Sequence, residues 1–192
     1  MEFTIEQKKL LIRLARESIE ERLFKKKKSL NINTKKDPVL KSKCGAFVTL
    51  TIEDQLRGCI GYITSTSPLY KTIQDAAIGA AFNDPRFYPL IETEYEQIEV
   101  EISVLSEPFP MKNYDDIIVG LHGLILEEAG QRGLLLPQVP IEHNMNKEQF
   151  LNAICRKTGV PQNLWREKKL NISLFTATVF SEKDLVDENA ID

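Results

Sequence analysis

Strand-like segments of this chain cluster as hairpins instead of alternating singly with helices. Residues 44–52 (CGAFVTLTI) and 56–63 (LRGCIGYI) flank the short turn EDQ, and residues 117–138 contain a strand, a glycine-marked turn and a second strand. Residues 98–106 and 170–181 add two further strand patterns. Hairpins join antiparallel strands, whereas parallel strands need a longer crossover connection. The pattern therefore predicts an α+β fold with a mainly antiparallel sheet.

Three longer segments have the period of an amphipathic helix, and each begins at a residue that can cap its first turn. They cover residues 4–28, 67–82 and 146–159, with Thr4, Ser67 and Asn146 as the predicted caps. Oxygen atoms of such side chains accept hydrogen bonds from the free N–H groups of a first turn. The lysine run 25–28 is interpreted as a solvated helix end, and a phosphate-binding patch is the alternative.

The length of 192 residues fits one domain, or one domain built as two lobes. We expect a single domain over residues 1–192, with a surface loop at 29–43 and a frayed tail at 182–192. The net charge of −3 gives no global positive field that would point to nucleic acid. No apolar run approaches the roughly 20 residues that span a bilayer. Three widely spaced cysteines argue against a disulfide framework and predict reduced thiols in the cytoplasm.

The segment LRGCIG, residues 56–61, places a charge and a thiol inside an apolar strand pattern. Arg57 and Cys59 share one face of a regular strand, because side chains alternate between the two faces. A guanidinium beside a thiol favours the thiolate, which is the form that attacks electrophiles. Gly58 and Gly61 leave room for another backbone or a ligand to approach closely. The alternative is structural: Cys59 is a small buried residue and Arg57 pairs with a carboxylate.

The loop NDPRFYPL is the second candidate segment. Asp84 can hydrogen-bond its own backbone and the following proline stiffens the turn, so Arg86 is presented from a rigid loop. If Arg86 lies near Arg57, the two guanidinium groups form a site for a carboxylate or a phosphate. The alternative is that Arg86 ties the loop to Glu99 or Glu101.

The two histidines, His122 and His143, have no supporting motif around them. A pair of either histidine with Cys59 stays open as a hypothesis, because catalytic partners need only be adjacent in space. The sequence contains no CxxC, HExxH, GxSxG or Walker-type motif. We therefore predict neither a metal nor a cofactor.

Five motifs occur along the chain in an order that indicates a family resemblance. They are LRGCIG (56–61), AAFNDPRFYPL (80–90), IEVEISVLSEP (98–108), GLILEEAGQRGLLLPQVPIE (123–142) and FLNAICRKTGVPQNLW (150–165). Together they resemble the AMMECR family, whose archaeal and bacterial members are called AmmeMemoRadiSam system protein A. The match covers roughly residues 5–180, which is nearly the whole chain.

The resemblance implies a compact α+β domain of two unequal lobes, with LRGCIG near a cleft between them. Together with the hairpin pattern, it leads us to expect a mainly antiparallel, barrel-like sheet with flanking helices. It also implies a gene association with a Memo-like protein and a radical S-adenosylmethionine enzyme, and no firmly assigned reaction. The polar motif positions of the family fall on Arg57, Cys59, Asp84, Arg86, Glu101, Gln138 and Glu142. One departure is HNMN (143–146), which replaces a glycine–tryptophan pair common in the family.

Three hypotheses follow. The first is an enzyme or enzyme subunit whose cleft binds a small anionic molecule through Arg57 and Arg86, with Cys59 as nucleophile or carrier thiol. The second is a non-catalytic module that docks on the Memo-like protein, the radical enzyme or a regulatory partner. The third is nucleic-acid binding through the lysines at 25–28, 35, 36, 41 and 43. Net acidity and the lack of interleaved aromatic residues argue against the third.

Overall fold

The computed structural model describes residues 2–26 and 38–187, with the backbone alone at 186 and 187. The strands of this part of the chain are β1 (Ala46–Ile52), β2 (Gln55–Tyr62), β3 (Glu99–Leu105), β4 (Phe109–Pro110), β5 (Gly123–Glu128), β6 (Gln131–Leu135), β7 (Ile172–Phe175) and β8 (Ala177–Ser181). Its α-helices are α1 (Ile5–Leu23), α2 (Leu69–Phe82), α3 (Glu92–Tyr95), α4 (Val139–Glu142), α5 (Lys147–Thr158), α6 (Leu164–Glu167) and α7 (Glu182–Asp187). Short 3-10 turns cover Pro38–Lys41 and Tyr114–Asp116.

The strands of the described residues form two separate sheets. Sheet A has the order β2-β1-β3-β8, and sheet B has the order β4-β7-β5-β6. The strand pairs with a defined register are antiparallel, so the predicted α+β class with mainly antiparallel strands is confirmed. The predicted barrel-like closure is wrong. A barrel pairs its first strand with its last, whereas each of these sheets keeps two edge strands.

The chain divides into two compact units, and the first contains the described residues up to Leu105 and from Thr178 onward. In this unit sheet A packs against helices α1 and α2. Ala46, Val48 and Leu50 of β1 are fully buried, and the residues between them are half-buried. This alternation is that of a strand with one face on the core.

Helix α2 lies very close to strand β2. Its buried alanines form a thin face at positions 76, 77, 80 and 81. A Cβ atom added at Gly58 would collide with the backbone oxygen of Ala80. Only glycine allows the two backbones to approach this closely, so the free space that Gly58 leaves is filled by the helix.

The second unit, Ser106–Ala177, has its own core between sheet B and helix α5, with Phe150 fully buried. Helix α5 begins with the predicted cap. The N–H of Gln149 donates to the Asn146 side chain, and the N–H of Asn146 donates to the Gln149 side chain, both at 2.9 Å. The helix ends at Gly159, whose φ of 81° lies in the left-handed region.

The cap prediction holds for one of the other two helices. Thr4 and Gln7 form the same reciprocal pair at the start of α1, with distances of 3.3 and 2.9 Å. The predicted cap Ser67 of α2 is wrong, because the capping position is Pro68 and no side chain caps the helix there. The N–H of Ser67 instead donates to the hydroxyl of Ser65 at 3.1 Å.

The predicted frayed tail is wrong for residues 182–187, which form helix α7. Leu185 is buried in the first core, and the N–H and hydroxyl of Ser181 donate to the Asp184 carboxylate at 2.7 and 2.9 Å. Glu182 accepts two hydrogen bonds from Arg16 of α1, at 2.6 and 2.8 Å. Residues 188–192 lie outside the described part of the chain.

The predicted surface loop at 29–43 contains the 3-10 turn Pro38–Lys41, whose Leu40 is buried because it packs in the first core. Residues 29–37 lie outside the described residues, as do Lys27, Lys28, Lys35 and Lys36 of the basic cluster. Within residues 2–26 and 38–187, no helix has the length and apolar character to cross a membrane.

Candidate thiol site

The loop after helix α2 holds both backbone groups of Cys59. The N–H of Cys59 donates to Asp84 Oδ2 at 2.8 Å, and its carbonyl oxygen accepts from Arg86 Nη2 at 3.1 Å. Asp84 also accepts from Arg86 Nε and Nη2, at 3.0 and 2.7 Å. We call this pair of side chains the Asp84–Arg86 fork. It fixes the position of the strand at the residue that carries the thiol.

The fork depends on a carboxylate that is buried and fully engaged. The side chain of Asp84 is 2% exposed, and its Oδ1 also accepts the backbone N–H of Arg86 at 3.1 Å. Hydrogen bonds from Arg86 hold the pKa of Asp84 well below its usual range, against the opposing effect of burial. Asp84 therefore stays charged wherever the protein is folded near neutral pH.

The sulfur of Cys59 has its own polar contact. The hydroxyl of Thr49, which lies opposite Cys59 on strand β1, donates to Sγ at 3.4 Å. The pKa of Arg86 is raised mainly by Asp84, and Cys59 contributes to the same rise. Cys59 is half-buried, whereas Cys44 and Cys155 are buried. Burial raises the pKa of both of those thiols.

Arg57 does not project as it would from a regular strand. The register passes from Leu50 opposite Gly58 to Thr51 opposite Leu56, so Arg57 is the extra residue of a β-bulge. Its Nε and Nη2 donate to the two carboxylate oxygens of Glu94, each at 2.8 Å. This bidentate pair lowers the pKa of Glu94. The geometry favours the structural alternative for Arg57, in which a carboxylate neutralises the guanidinium.

The two arginines nevertheless meet at one side chain. The guanidinium carbons of Arg57 and Arg86 lie 6.0 and 5.6 Å from the ring centroid of Phe87, which is within the range of a cation–π contact. Neither of the alternative partners predicted for Arg86, Glu99 or Glu101, takes that role among the described contacts of Arg86. Arg86 ties its loop to strand β2 through Asp84 and the carbonyl of residue 59.

The remaining predicted site residues have different positions. Glu101 of β3 is half-buried and lies opposite Thr49, so it belongs to the same cross-strand row as Cys59. A Cβ atom at Gly61 would collide with the Ala46 backbone and a neighbouring ring, so this glycine allows close packing within the hairpin.

Gln138 and Glu142 belong to the second unit, at the two ends of helix α4. Glu142 is exposed. The Oε1 atom of Gln138 is buried and accepts no hydrogen bond from the described residues. His122 and His143 also belong to this unit, and Nδ1 of His122 accepts the N–H of Ile118 at 3.2 Å.

Sequence reasoning missed three contributors to the site: Thr49, Phe87 and Glu94. Phe87 and Glu94 both contact Arg57 of strand β2, and the polar or apolar pattern of their own segments gives no sign of this partner. Among the residues with a described placement, no group of three or more histidine, cysteine, aspartate or glutamate side chains could hold a metal ion.

These features define a class of protein: an α+β chain whose described residues form two four-stranded sheets, with a loop that fixes a half-buried cysteine on an edge strand. The family model described as AMMECR1 matches residues 12–180, and the chain belongs to this family. The resemblance indicated by the five sequence motifs is thereby confirmed.

Three similar proteins from archaea illustrate the likeness. Protein MK0488 of Methanopyrus kandleri is 39% identical over 192 residues, covering 94% of this chain and 91% of its own length. A protein of Methanothermobacter thermautotrophicus is 40% identical over 178 residues, with coverages of 90% and 92%. The crystal structure of the uncharacterized protein PH0010 from Pyrococcus horikoshii has a TM-score of 0.81 at 40% identity and covers 90% of each chain.

Proposed function

We propose that Cys59 is a reactive thiol that acts as a nucleophile or carrier in a modification reaction. The observation that carries this proposal is the hydrogen bond from the Thr49 hydroxyl to Sγ, on a residue whose N–H and carbonyl are both held by the Asp84–Arg86 fork. A half-buried sulfur that is fixed in place and accepts a hydrogen bond has the position that a reacting thiol needs. The two buried thiols lack this combination of access and support.

The reaction step needs an electrophilic carbon that bears a leaving group. The thiol of Cys59 first loses its proton to solvent, and a sulfur lone pair then forms the S–C bond. The leaving group departs with the electron pair of the bond that breaks. Covalent attack by a positioned cysteine is one of the recognised routes of nucleophilic catalysis.

We propose a small carboxylate- or phosphate-bearing substrate, bound by Arg86. The side chain of Arg86 is 54% exposed, and Nη1 donates to no described residue. Its N–H groups suit an anionic oxygen. Arg57 contributes less to such a site, because Glu94 already engages two of its nitrogens.

We further propose that the protein works in the cytoplasm with a Memo-like protein and a radical S-adenosylmethionine enzyme. This part of the proposal rests on the resemblance to the AmmeMemoRadiSam system. Three free cysteines support a reducing compartment.

The proposal is tested by alkylating the full chain with neutral iodoacetamide and with anionic iodoacetate. Mass spectrometry of the cysteine peptides follows each thiol. We expect Cys59 to react at least tenfold faster than Cys44 and Cys155 with either reagent, because it is the accessible thiol. Equal or slower labelling of Cys59 would contradict the thiol proposal.

The ratio of the iodoacetate rate to the iodoacetamide rate isolates the anion site, because changes in thiol ionisation cancel in the ratio. Arg86→Gln is expected to lower this ratio several-fold, and Arg22→Gln on helix α1 serves as the matched control. An unchanged ratio in Arg86→Gln would remove the anion-binding part of the proposal and leave the thiol part standing.

A second candidate function, as a docking module, is favoured by the outer side of the same loop. Tyr88 is 91% exposed and Ile91 is 57% exposed, while Asp84 and Leu90 anchor the loop in the protein. The N–H of Leu90 donates to the carbonyl of Ala81 at 2.8 Å, which adds to this anchoring. A rigid loop with an exposed tyrosine suits a protein interface, because little conformational freedom is lost on binding. Slow labelling of Cys59 would favour this function.

A further inference from the structure

The strand opposite Cys59 supplies a residue that none of the family motifs contains. Thr49 of β1 is directly paired with Cys59 of β2, and its hydroxyl donates to Sγ at 3.4 Å. We propose that Thr49 is the positioning residue of the thiol site: its hydroxyl stabilises the thiolate and fixes the direction of the sulfur. This inference rests on the proposed role of Cys59 and adds a second residue to it.

The local structure suits this role. A β-branched side chain has few χ1 rotamers, so the hydroxyl of Thr49 is held in place without a further partner. The Asp84–Arg86 fork holds the main chain of Cys59 from the outer edge of the sheet, and Thr49 holds the sulfur from the neighbouring strand. The thiol is therefore fixed from two directions by different elements of the first unit.

The arginines near Cys59 have carboxylate partners, and the described hydrogen bond to its sulfur comes from the Thr49 hydroxyl. Asp84 and Arg86 face it from the loop after α2, and they neutralise each other. Arg57 on the same strand is neutralised by Glu94 of α3. Glu101 lies beyond Thr49 on β3, in the same cross-strand row. A hydrogen bond donated to sulfur favours the ionised form, because a charged acceptor binds a donor more strongly than a neutral one does.

The test measures the rate of Cys59 alkylation by iodoacetamide against pH in the full chain. The variants are Thr49→Val, which keeps the shape and removes the hydroxyl, and Thr49→Ser, which keeps the hydroxyl. The matched control is Thr51→Val, because Thr51 is half-buried on the same face of β1 and lies opposite Leu56. Thermal unfolding of each variant checks that the hairpin remains folded.

We expect Thr49→Val to slow alkylation at pH 7 by about tenfold, which corresponds to the loss of one hydrogen bond to a charged group. Thr49→Ser restores most of the rate, and Thr51→Val leaves it unchanged. At high pH, where the thiol is fully ionised in every variant, the rates converge. Loss of access to the sulfur would instead lower the rate at every pH.

Thr49→Val rates that match Thr51→Val at every pH would overturn the inference, as would a loss that persists at high pH. These outcomes are separate from a failure of the proposed function. A wild-type Cys59 that reacts no faster than Cys44 and Cys155 contradicts the proposed function, whereas the ratio of variant to wild type still reports on Thr49.

Discussion

Asp84 makes hydrogen bonds both to the residue that carries the thiol and to Arg86 of its own loop. Its carboxylate accepts hydrogen bonds from the backbone of Cys59 and from the backbone and side chain of Arg86. These donors compensate for the burial of a charge, which would otherwise cost several kcal/mol. The same carboxylate is thus responsible for the shape of the loop and for the position of the thiol.

Replacing Asp84 by Asn removes the charge and keeps one acceptor. We expect Asp84→Asn to lower the free energy of unfolding at pH 7 by about 2 kcal/mol, because Arg86 loses its charged partner. Urea unfolding measures this change. Asp75→Asn on helix α2 is the control, since Asp75 pairs with Lys71 on the exposed side, and it should cost less than about 0.5 kcal/mol.

The difference between wild type and Asp84→Asn should depend on pH in one direction. The pKa of Asp84 in the folded protein is depressed, so its contribution is fully present above the unfolded value of about 3.9. Below that value the unfolded chain takes up a proton that the folded protein does not, and the contribution is lost progressively. The two stabilities should therefore converge in strong acid; a constant difference between pH 7 and pH 3 would contradict this account.

At the scale of the elements, Glu182 at the start of helix α7 connects sheet A with helix α1. Nε and Nη2 of Arg16 donate to the carboxylate of Glu182 at 2.6 and 2.8 Å, and the N–H of Val100 donates to the same carboxylate at 2.9 Å. Arg16 also donates to the carbonyl oxygens of Tyr95 and Ile98. One ion pair therefore links helices α1 and α7 with the start of strand β3.

Arg16→Gln tests the contribution of the Arg16 contacts to helix α7 and strand β3. The substitution leaves Glu182 with the N–H of Val100 but without its charged donor, and it removes the Arg16 donor of two carbonyl groups. We expect the free energy of unfolding in urea to fall by about 2–3 kcal/mol. The control is the same substitution at Arg13, whose exposed side chain makes a long contact of 3.8 Å with Glu17 one helical turn away, and we expect it to cost only a few tenths of a kcal/mol. Equal losses in the two variants would show that the Arg16 contacts add no more stability than the pair of Arg13 with Glu17 does.

At the scale of the whole molecule, the residues with a described placement form two hydrophobic cores. Phe150, Leu124 and Leu126 are buried in one, and Ile73 and Ile102 are buried in the other. Separate cores commonly open as separate cooperative units in hydrogen exchange. A substitution in one core should therefore destabilise mainly the unit that contains this core.

Phe150→Ala should destabilise the second unit by about 3–5 kcal/mol, because it removes a fully buried ring. Hydrogen-exchange mass spectrometry should show faster exchange in β5, β6 and α5, with β1 and β3 protected as in the wild type. Ile73→Ala in helix α2 should produce the reverse pattern. Equal acceleration in both units after either substitution would mean that they unfold as one.

The sequence predicts what depends on near neighbours. The caps at Thr4 and Asn146 and the hairpin of β1 and β2 follow from local spacing. The pairs Arg57–Glu94 and Arg16–Glu182 join residues 37 and 166 positions apart, and no local period carries that information. The prediction of a closed barrel fails for the same reason, because pairing between the two edge strands depends on the twist and size of the whole sheet.

Thr49 is an intermediate case. A three-residue turn at 53–55 would place Thr49 opposite Cys59. The actual turn has two residues, Glu53 and Asp54, both with positive φ, and the bulge at Arg57 restores the same pairing. The hairpin pattern of the sequence therefore implies that Thr49 pairs with Cys59, although it gives no reason to expect the bulge at Arg57.

The Asp84–Arg86 fork has one more consequence, for self-association. Strand β2 borders sheet A, and its outward N–H and carbonyl groups at residue 59 would otherwise be open to a strand of another molecule. The fork occupies both groups with side chains that cannot continue the ladder. At residue 59, this border strand is thereby blocked from the intermolecular pairing that leads to aggregates.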